Sequence, residues 1–300
     1  MRSFCRRTLK ALWFVPVLLT AAAPASAQVD LSGEWAPIRA EDHTPNPNVL
    51  PGDYVGLPMT EESRLRADSW SASDWTLPEW QCRPHPAGYI TRGPSQLSIT
   101  KDVDPVTRQI TSYNLEWLRS VQHVVYLDGR PHPSEYAPRS WGGFSTAEWV
   151  GDTLKISTTH VKESYIRRSG VFRSDTAKLT QFLTRRGDIL TWVVITHDPV
   201  YLTEPLIRSS EYRIQPRQVL PPYPCTVVAE VDRPRGVVPH WLPGEDGGQA
   251  DYGKYYKLPF EATRGGAEQM YPEYLPKLKQ LMSTWKPAAA PNTRAAGGRE

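Results

Sequence analysis

Apolar and polar residues alternate with a period of two through the middle of the chain. Between Thr153 and His160, Leu154 and Ile156 fall on one side, while Lys155, Ser157 and Thr159 fall on the other. Over 189–196 both sides are apolar: Leu190, Trp192 and Val194 against Ile189, Val193 and Ile195, the pattern of a strand covered on both faces. Similar β-branched and aromatic runs occupy 96–101, 108–113, 115–119, 122–127, 144–150, 153–160, 165–172, 178–184, 189–196 and 206–214. Turn residues separate them, among them Asp128-Gly129, Gly151-Asp152 and Arg186-Gly187-Asp188. Regular short strands with turns between them predict an all-β core over residues 95–225, an antiparallel meander closed as a barrel or stacked as a sandwich.

The flanks read differently. Residues 28–94 form an irregular Pro-rich N-terminal arm, where Pro37, Pro45, Pro47, Pro51 and Pro58 block long regular elements. One helix is expected from Glu61 to Ser69, capped by Thr60. Residues 226–286 read as loops followed by a short C-terminal helix at 272–285, with Leu275, Leu278, Leu281 and Met282 on one stripe. The Ala/Gly/Pro-rich tail, 287–300, is expected to be disordered. The 29 prolines in 300 residues argue against a mostly helical protein.

The first 27 residues have the three parts of a secretory leader. These are a basic start (Arg2, Arg6, Arg7, Lys10), an apolar run from Ala11 to Ala23, and Ala25-Ser26-Ala27 ahead of Gln28. The apolar run is too short for a stable membrane anchor. Those four basic residues are unaccompanied by acids, so the formal charge of +3 becomes −1 once the leader is removed. That removes the electrostatic case for nucleic acid as a partner. The expected location is the periplasm or the outside of the cell. Cys5 leaves with the leader, and Cys82 and Cys225 are expected to form one disulfide in that oxidising setting.

Between 126 and 154 the chain reads Tyr126-Leu127-Asp128-Gly129-Arg130-Pro131-His132-Pro133, then Ser140-Trp141-Gly142-Gly143-Phe144-Ser145, then Glu148-Trp149-Val150-Gly151-Asp152-Thr153-Leu154. Leu31-Ser32-Gly33-Glu34-Trp35 precedes these, and Asp198-Pro199 with Tyr201-Leu202-Thr203-Glu204-Pro205 follows. Together these resemble a family of secreted bacterial proteins marked by LSGxW, DGRPHP, WxGDTL and DPxxYTxP motifs, over roughly residues 30–225. The Gly-x-Trp opening is similar to that of lipocalin-like barrels, which implies a barrel rather than a sandwich. In the family a His commonly stands at the position of Phe144, and another in the turn near Gly170-Val171-Phe172; this chain has neither.

Asp128, Arg130 and His132 offer a carboxylate, a guanidinium and an imidazole within five positions, as acid/base catalysis would need. Turn chemistry explains the Asp-Gly pair equally well. His123 shares a face with Val121 and Val125, a pattern more usual for a core histidine, and His160 continues the Leu154, Ile156, Thr158 face with Tyr165 close behind. Trp141, Trp149, Asp198 and Tyr201 are candidate ligand contacts. No metal site is expected, since HxH, HxxxH and CxxC spacings are missing, and the absence of GxSxG, GxGxxG and P-loop patterns argues against a serine elbow or a nucleotide cofactor. Two functions are compatible with these residues. One is a cofactor-independent lyase, hydratase or isomerase acting on a small organic molecule; the other is a non-catalytic carrier of an apolar or aromatic one.

Overall fold

The computed structural model describes residues 29–38, 50–91, 96–119, 123–245 and 248–286. The expected leader, the first residue of the strand expected at 122–127 and the expected disordered tail lie outside these described residues. The strands are β1 (Gly33–Ile38), β2 (Leu97–Val103), β3 (Ile110–Trp117), β4 (His123–Tyr126), β5 (Phe144–Val150), β6 (Thr153–Thr159), β7 (Ser164–Arg167), β8 (Val171–Arg173), β9 (Lys178–Arg186), β10 (Ile189–His197) and β11 (Leu206–Ile214). Nine of them close into a barrel in the order β1-β11-β10-β9-β6-β5-β4-β3-β2, while β7 and β8 form a separate hairpin.

Closure depends on β1. It pairs with β11 through Trp35 opposite Ile214 and with β2 through Trp35 opposite Leu97, so no strand edge of the barrel is left unpaired. Trp35 is fully buried, and its indole Nε1 donates to the Leu31 carbonyl at 3.1 Å. The leucine and tryptophan of the opening motif therefore seal one end of the barrel. Its interior is filled by side chains at alternate positions, including Tyr113, Val125, Ile156, Leu183, Trp192 and Tyr212.

The connectivity departs from a simple meander in three places. The two strands expected at 108–119 are one strand, β3. The run 165–172 is the hairpin β7–β8. Most consequentially, β4 and β5 run parallel, with Val125 opposite Ser145. Parallel neighbours cannot be joined by a tight turn. Asp128-Gly129 thus begins a crossover, and residues 127–143 carry the chain back along the outside of the barrel.

The N-terminal arm does more than wrap the barrel. It contains α1 (Glu61–Asp68), where Thr60 accepts a hydrogen bond from the Ser63 amide at 3.2 Å as expected, and the short α2 (Pro78–Gln81). With β7–β8 it builds a cap over the end where β5, β9 and β11 begin. Tyr54, Leu57, Met59, Ala67, Ile166 and Val171 form one buried cluster there, and Trp70, Leu77, Trp80, Tyr165 and Phe172 another. From this cap the segment 85–91 dips into the barrel: Tyr212 donates from its hydroxyl to the Ile90 carbonyl at 3.1 Å, and Ser210 to the Thr91 carbonyl at 2.7 Å.

The Cys82–Cys225 disulfide forms, with Cα atoms 5.5 Å apart at a sequence separation of 143, and ties the cap to the segment that follows β11. Beyond it lie α3 (Asp251–Tyr256) and α4 (Leu275–Thr284). The apolar stripe expected on the last helix is only partly covered: Leu278 and Leu281 are half-buried, while Leu275 and Met282 are exposed. Among the described residues, no helix is long and apolar enough to cross a membrane.

Candidate functional site

The barrel interior is apolar except at its capped end, where alternation brings hydroxyl and amide side chains inward. Ser145 on β5 lies opposite Thr158 on β6, and Gln181 on β9 lies opposite Ile156, two residues before Thr158 on the same inward face. They form a continuous chain. Trp192 Nε1 donates to Gln181 Oε1 at 3.1 Å, and Gln181 Nε2 donates to Thr158 Oγ1 at 3.0 Å. Thr158 Oγ1 lies 2.7 Å from Ser145 Oγ, which lies 2.8 Å from His123 Nε2. The indole and the amide are fixed donors, and they set a direction. With Thr158 donating to Ser145 and Ser145 to His123, each hydroxyl of the chain donates once and Nε2 is the acceptor of a neutral imidazole. Burial, reinforced by the field of Arg173, pushes His123 down to about 4, so the ring is neutral at physiological pH.

A second histidine faces it from the cap. His85 packs with a near-parallel ring against both Tyr89 and Trp117, at centroid distances of 4.8 and 4.9 Å, and those two rings lie 5.9 Å from one another. Its Nδ1 lies 2.5 Å from the Tyr165 hydroxyl. Pro84 and Pro86 flank it, and its own amide donates to the Arg119 carbonyl at 2.7 Å, so the backbone on both sides is held. Burial first, then the charges of Arg119 and Arg168, push His85 down to about 3. Burial also raises Tyr165, which stays protonated and can donate. His85, His123, Gln181 and Trp192 line one cavity of about 20 Å³.

Arg173, at the end of β8, is only 3% exposed. One nitrogen donates to the Lys162 carbonyl at 3.4 Å, while Nη2 has no hydrogen-bond partner. Asp198 is the acid whose charge it feels. That carboxylate is already occupied, accepting from Ser174 N at 2.6 Å, Ser174 Oγ at 2.7 Å, Val200 N at 3.0 Å and Tyr201 N at 3.2 Å. Arg173 and Tyr165 line a second cavity, of about 30 Å³, separated from the first by Ala87 and Gly88.

Of the residues singled out from the sequence, His123 and Tyr165 come together here. Asp128 and Arg130 do not. They bond one another on the outer surface, with Arg130 Nε 2.9 Å from Asp128 Oδ1, and the guanidinium lies over Tyr126. His132 is also on the outer wall, bridging β5 and β6 through Thr146 Oγ1 at 2.9 Å and Thr159 Oγ1 at 2.7 Å. The expectation that His160 continues the inward face of β6 is corrected. Its backbone turns left-handed (φ 56°), ending the strand, and its ring bonds Thr159 Oγ1 and the Ser134 carbonyl, both at 2.7 Å, on the outside. The DGRPHP segment is thus a clamp for the crossover, placed outside because β4 and β5 are parallel.

The candidate ligand contacts scatter too. Trp141 lies beside Arg83 and Lys162. Trp149, near the opposite end of β5, packs against the barrel core with its Nε1 unbonded. Asp198 organises the turn after β10, and Tyr201 packs against the aromatic cluster of the cap.

His85, Ser145, Gln181 and Arg173 were not among the sequence candidates. For His85 a signal exists: Arg-Pro-His-Pro stands at 83–86 as well as at 130–133. Among the described residues, no three His, Cys, Asp or Glu side chains converge as metal ligands. Comparisons with known proteins returned no match: no family model, no curated protein and no solved structure is similar to this chain.

Proposed function

We propose that the protein is an exported, cofactor-independent acid/base enzyme of the lyase, hydratase or isomerase kind, acting on a small organic molecule at the capped end of its barrel. The observation that carries this reading is the pair of neutral imidazoles, His85 and His123, lining one cavity. A neutral imidazole is the base form of histidine and a protonated tyrosine beside it an acid, so the pair can exchange protons with a bound molecule whose negative charge raises the ring's proton affinity. His85 with Tyr165 supplies such an exchange at 2.5 Å. His123 Nε2 already accepts from Ser145, so a proton reaches that ring through the hydroxyl chain. The Ser145–His123 contact has nucleophile–base geometry, but Ser145 is 1% exposed beneath the cap, which leaves no room there for an acyl group.

Cavities of about 20 and 30 Å³ hold only a water or two. Substrate entry therefore requires the lining of these cavities to open, as would entry of a carried ligand. The leader pattern, the disulfide and the resemblance to secreted proteins support export.

The test is to incubate the purified protein with mixtures of small organic molecules in deuterated water and follow mass change. Turnover or deuterium uptake that falls at least about 100-fold in His85→Gln and in His123→Gln is expected. Activity indifferent to both substitutions, or a ligand retained without any conversion, would overturn the proposal.

A further inference from the structure

We propose that the cavity beside Arg173 is a carboxylate subsite, and that the molecule acted on at His85 and Tyr165 carries a carboxylate group. The inference rests on the acid/base reading for its catalytic meaning, but the subsite stands on its own geometry.

The cavity is lined by two guanidiniums, Arg173 and Arg208, and by the hydroxyl-bearing side chains Tyr89, Tyr165, Thr91 and Thr196, with no acid among its lining residues. Arg208 reaches it because position 208 lies opposite the inward-facing Val194 on β10. Arg173 is the stronger observation. A guanidinium removed from water forfeits several kcal/mol of hydration unless its donors and its charge are matched. Here one donor reaches a carbonyl at 3.4 Å, and Nη2 meets nothing. Among the described residues, no carboxylate forms an ion pair with it. Asp198, the nearest acid in electrostatic terms, is saturated by four donors of its own.

The missing component is an anion. Its size follows from the cavity, whose volume of about 30 Å³ accommodates about two water-sized atoms. Two oxygens on one planar carbon fit that space, and the planar fork of arginine is matched to them. Tyr165 lines the same cavity and bonds His85, so a molecule anchored by its carboxylate at Arg173 presents its adjoining carbon atoms toward the proton-exchanging pair.

Binding can be read without turnover. The full chain is titrated with sodium acetate, with acetamide, and with sodium chloride at matched ionic strength, following Tm and tryptophan fluorescence. Acetate is expected to raise Tm saturably, by about 2–4 °C beyond chloride, while acetamide leaves it unmoved. Arg173→Gln is expected to weaken the acetate response at least tenfold. Equal responses to acetate and chloride, or to acetate and acetamide, overturn the subsite, and these comparisons need no variant. Arg208→Gln gives a second reading should Arg173→Gln not fold, and an unchanged acetate response in every folded variant overturns the assignment. Carboxylate binding without conversion of any carboxylate would keep the subsite and remove the enzyme reading. Conversion of uncharged molecules without carboxylate binding would do the reverse.

Discussion

Acidification should unfold this protein over a window set by its two buried imidazoles. In the unfolded chain a histidine takes up its proton near pH 6.5. In the folded protein His85 does so at about 3 and His123 at about 4. Between those limits the unfolded state binds the additional protons, so stability is complete above about pH 6.5 and is lost as pH falls. Each group costs about 1.4 kcal/mol per pH unit where its unfolded form is fully protonated. From pH 6 to 4.5 the loss is about 2 kcal/mol for each ring, or about 3–4 kcal/mol together, a large share of a typical domain's stability. His132, also lowered by burial but largely solvated, adds to this with the same sign and less weight. The window avoids the carboxylates. Asp102, for example, is held down by hydrogen bonds from Ser112 and Asn114, and its contribution fades only as pH falls below the ordinary carboxylate range. Urea unfolding followed by tryptophan fluorescence at pH 6.0, 5.5, 5.0 and 4.5 measures the slope. His85→Phe keeps a flat ring against Tyr89 and Trp117 and shifts all points by a constant through the lost Tyr165 bond. Its slope should fall by about half. A slope identical to that of the parent chain would refute the claim that His85 is neutral because the cap desolvates it.

Other substitutions probe the frame around the site. Replacing Cys82 and Cys225 by Ser opens a crosslink whose ends are 143 positions apart and should cost up to about 5 kcal/mol on chain-entropy grounds, read as a lower urea midpoint and matched by reduction of the parent protein. Gly88→Ala should cost about 1–3 kcal/mol, because φ is +79° and a Cβ would sit 2.6 Å from Leu179 Cδ2. Its crystal structure should show segment 85–91 displaced from the barrel; an undisturbed segment would refute that packing argument. Asp128→Ala should leave the urea midpoint essentially where it is in the parent chain, as loss of an exposed ion pair does, and a clear drop would mean that the crossover clamp depends on it.

Much of the barrel was legible in the residue pattern. The period of two in 153–160 and 189–196 became β6 and β10, and Thr60 capped the expected helix. His123 also followed its pattern, facing inward with Val125. The DGRPHP residues were not legible in the same way. Nearness in sequence suggested a common site, but a crossover between parallel strands lies outside the barrel, and nothing in the hexapeptide reports strand direction. His85 and Arg173 escaped notice for a related reason. Each sits in or beside a short irregular segment with no period, and gains its meaning from partners about 80 and 25 residues away, Tyr165 and Asp198.

Alternation is a property of the extended backbone, because successive side chains leave a strand on opposite faces, and a reader of the chain can recover it one strand at a time. It assigns each residue to an inside or an outside. Which inward residues meet is another matter, since a shift of register or a reversal of one strand changes every cross-strand neighbour. The hydroxyl chain below His123, the stacking of His85 and the unmatched guanidinium of Arg173 all follow from nine strands closing together under a cap, a choice made by the packing of the whole molecule.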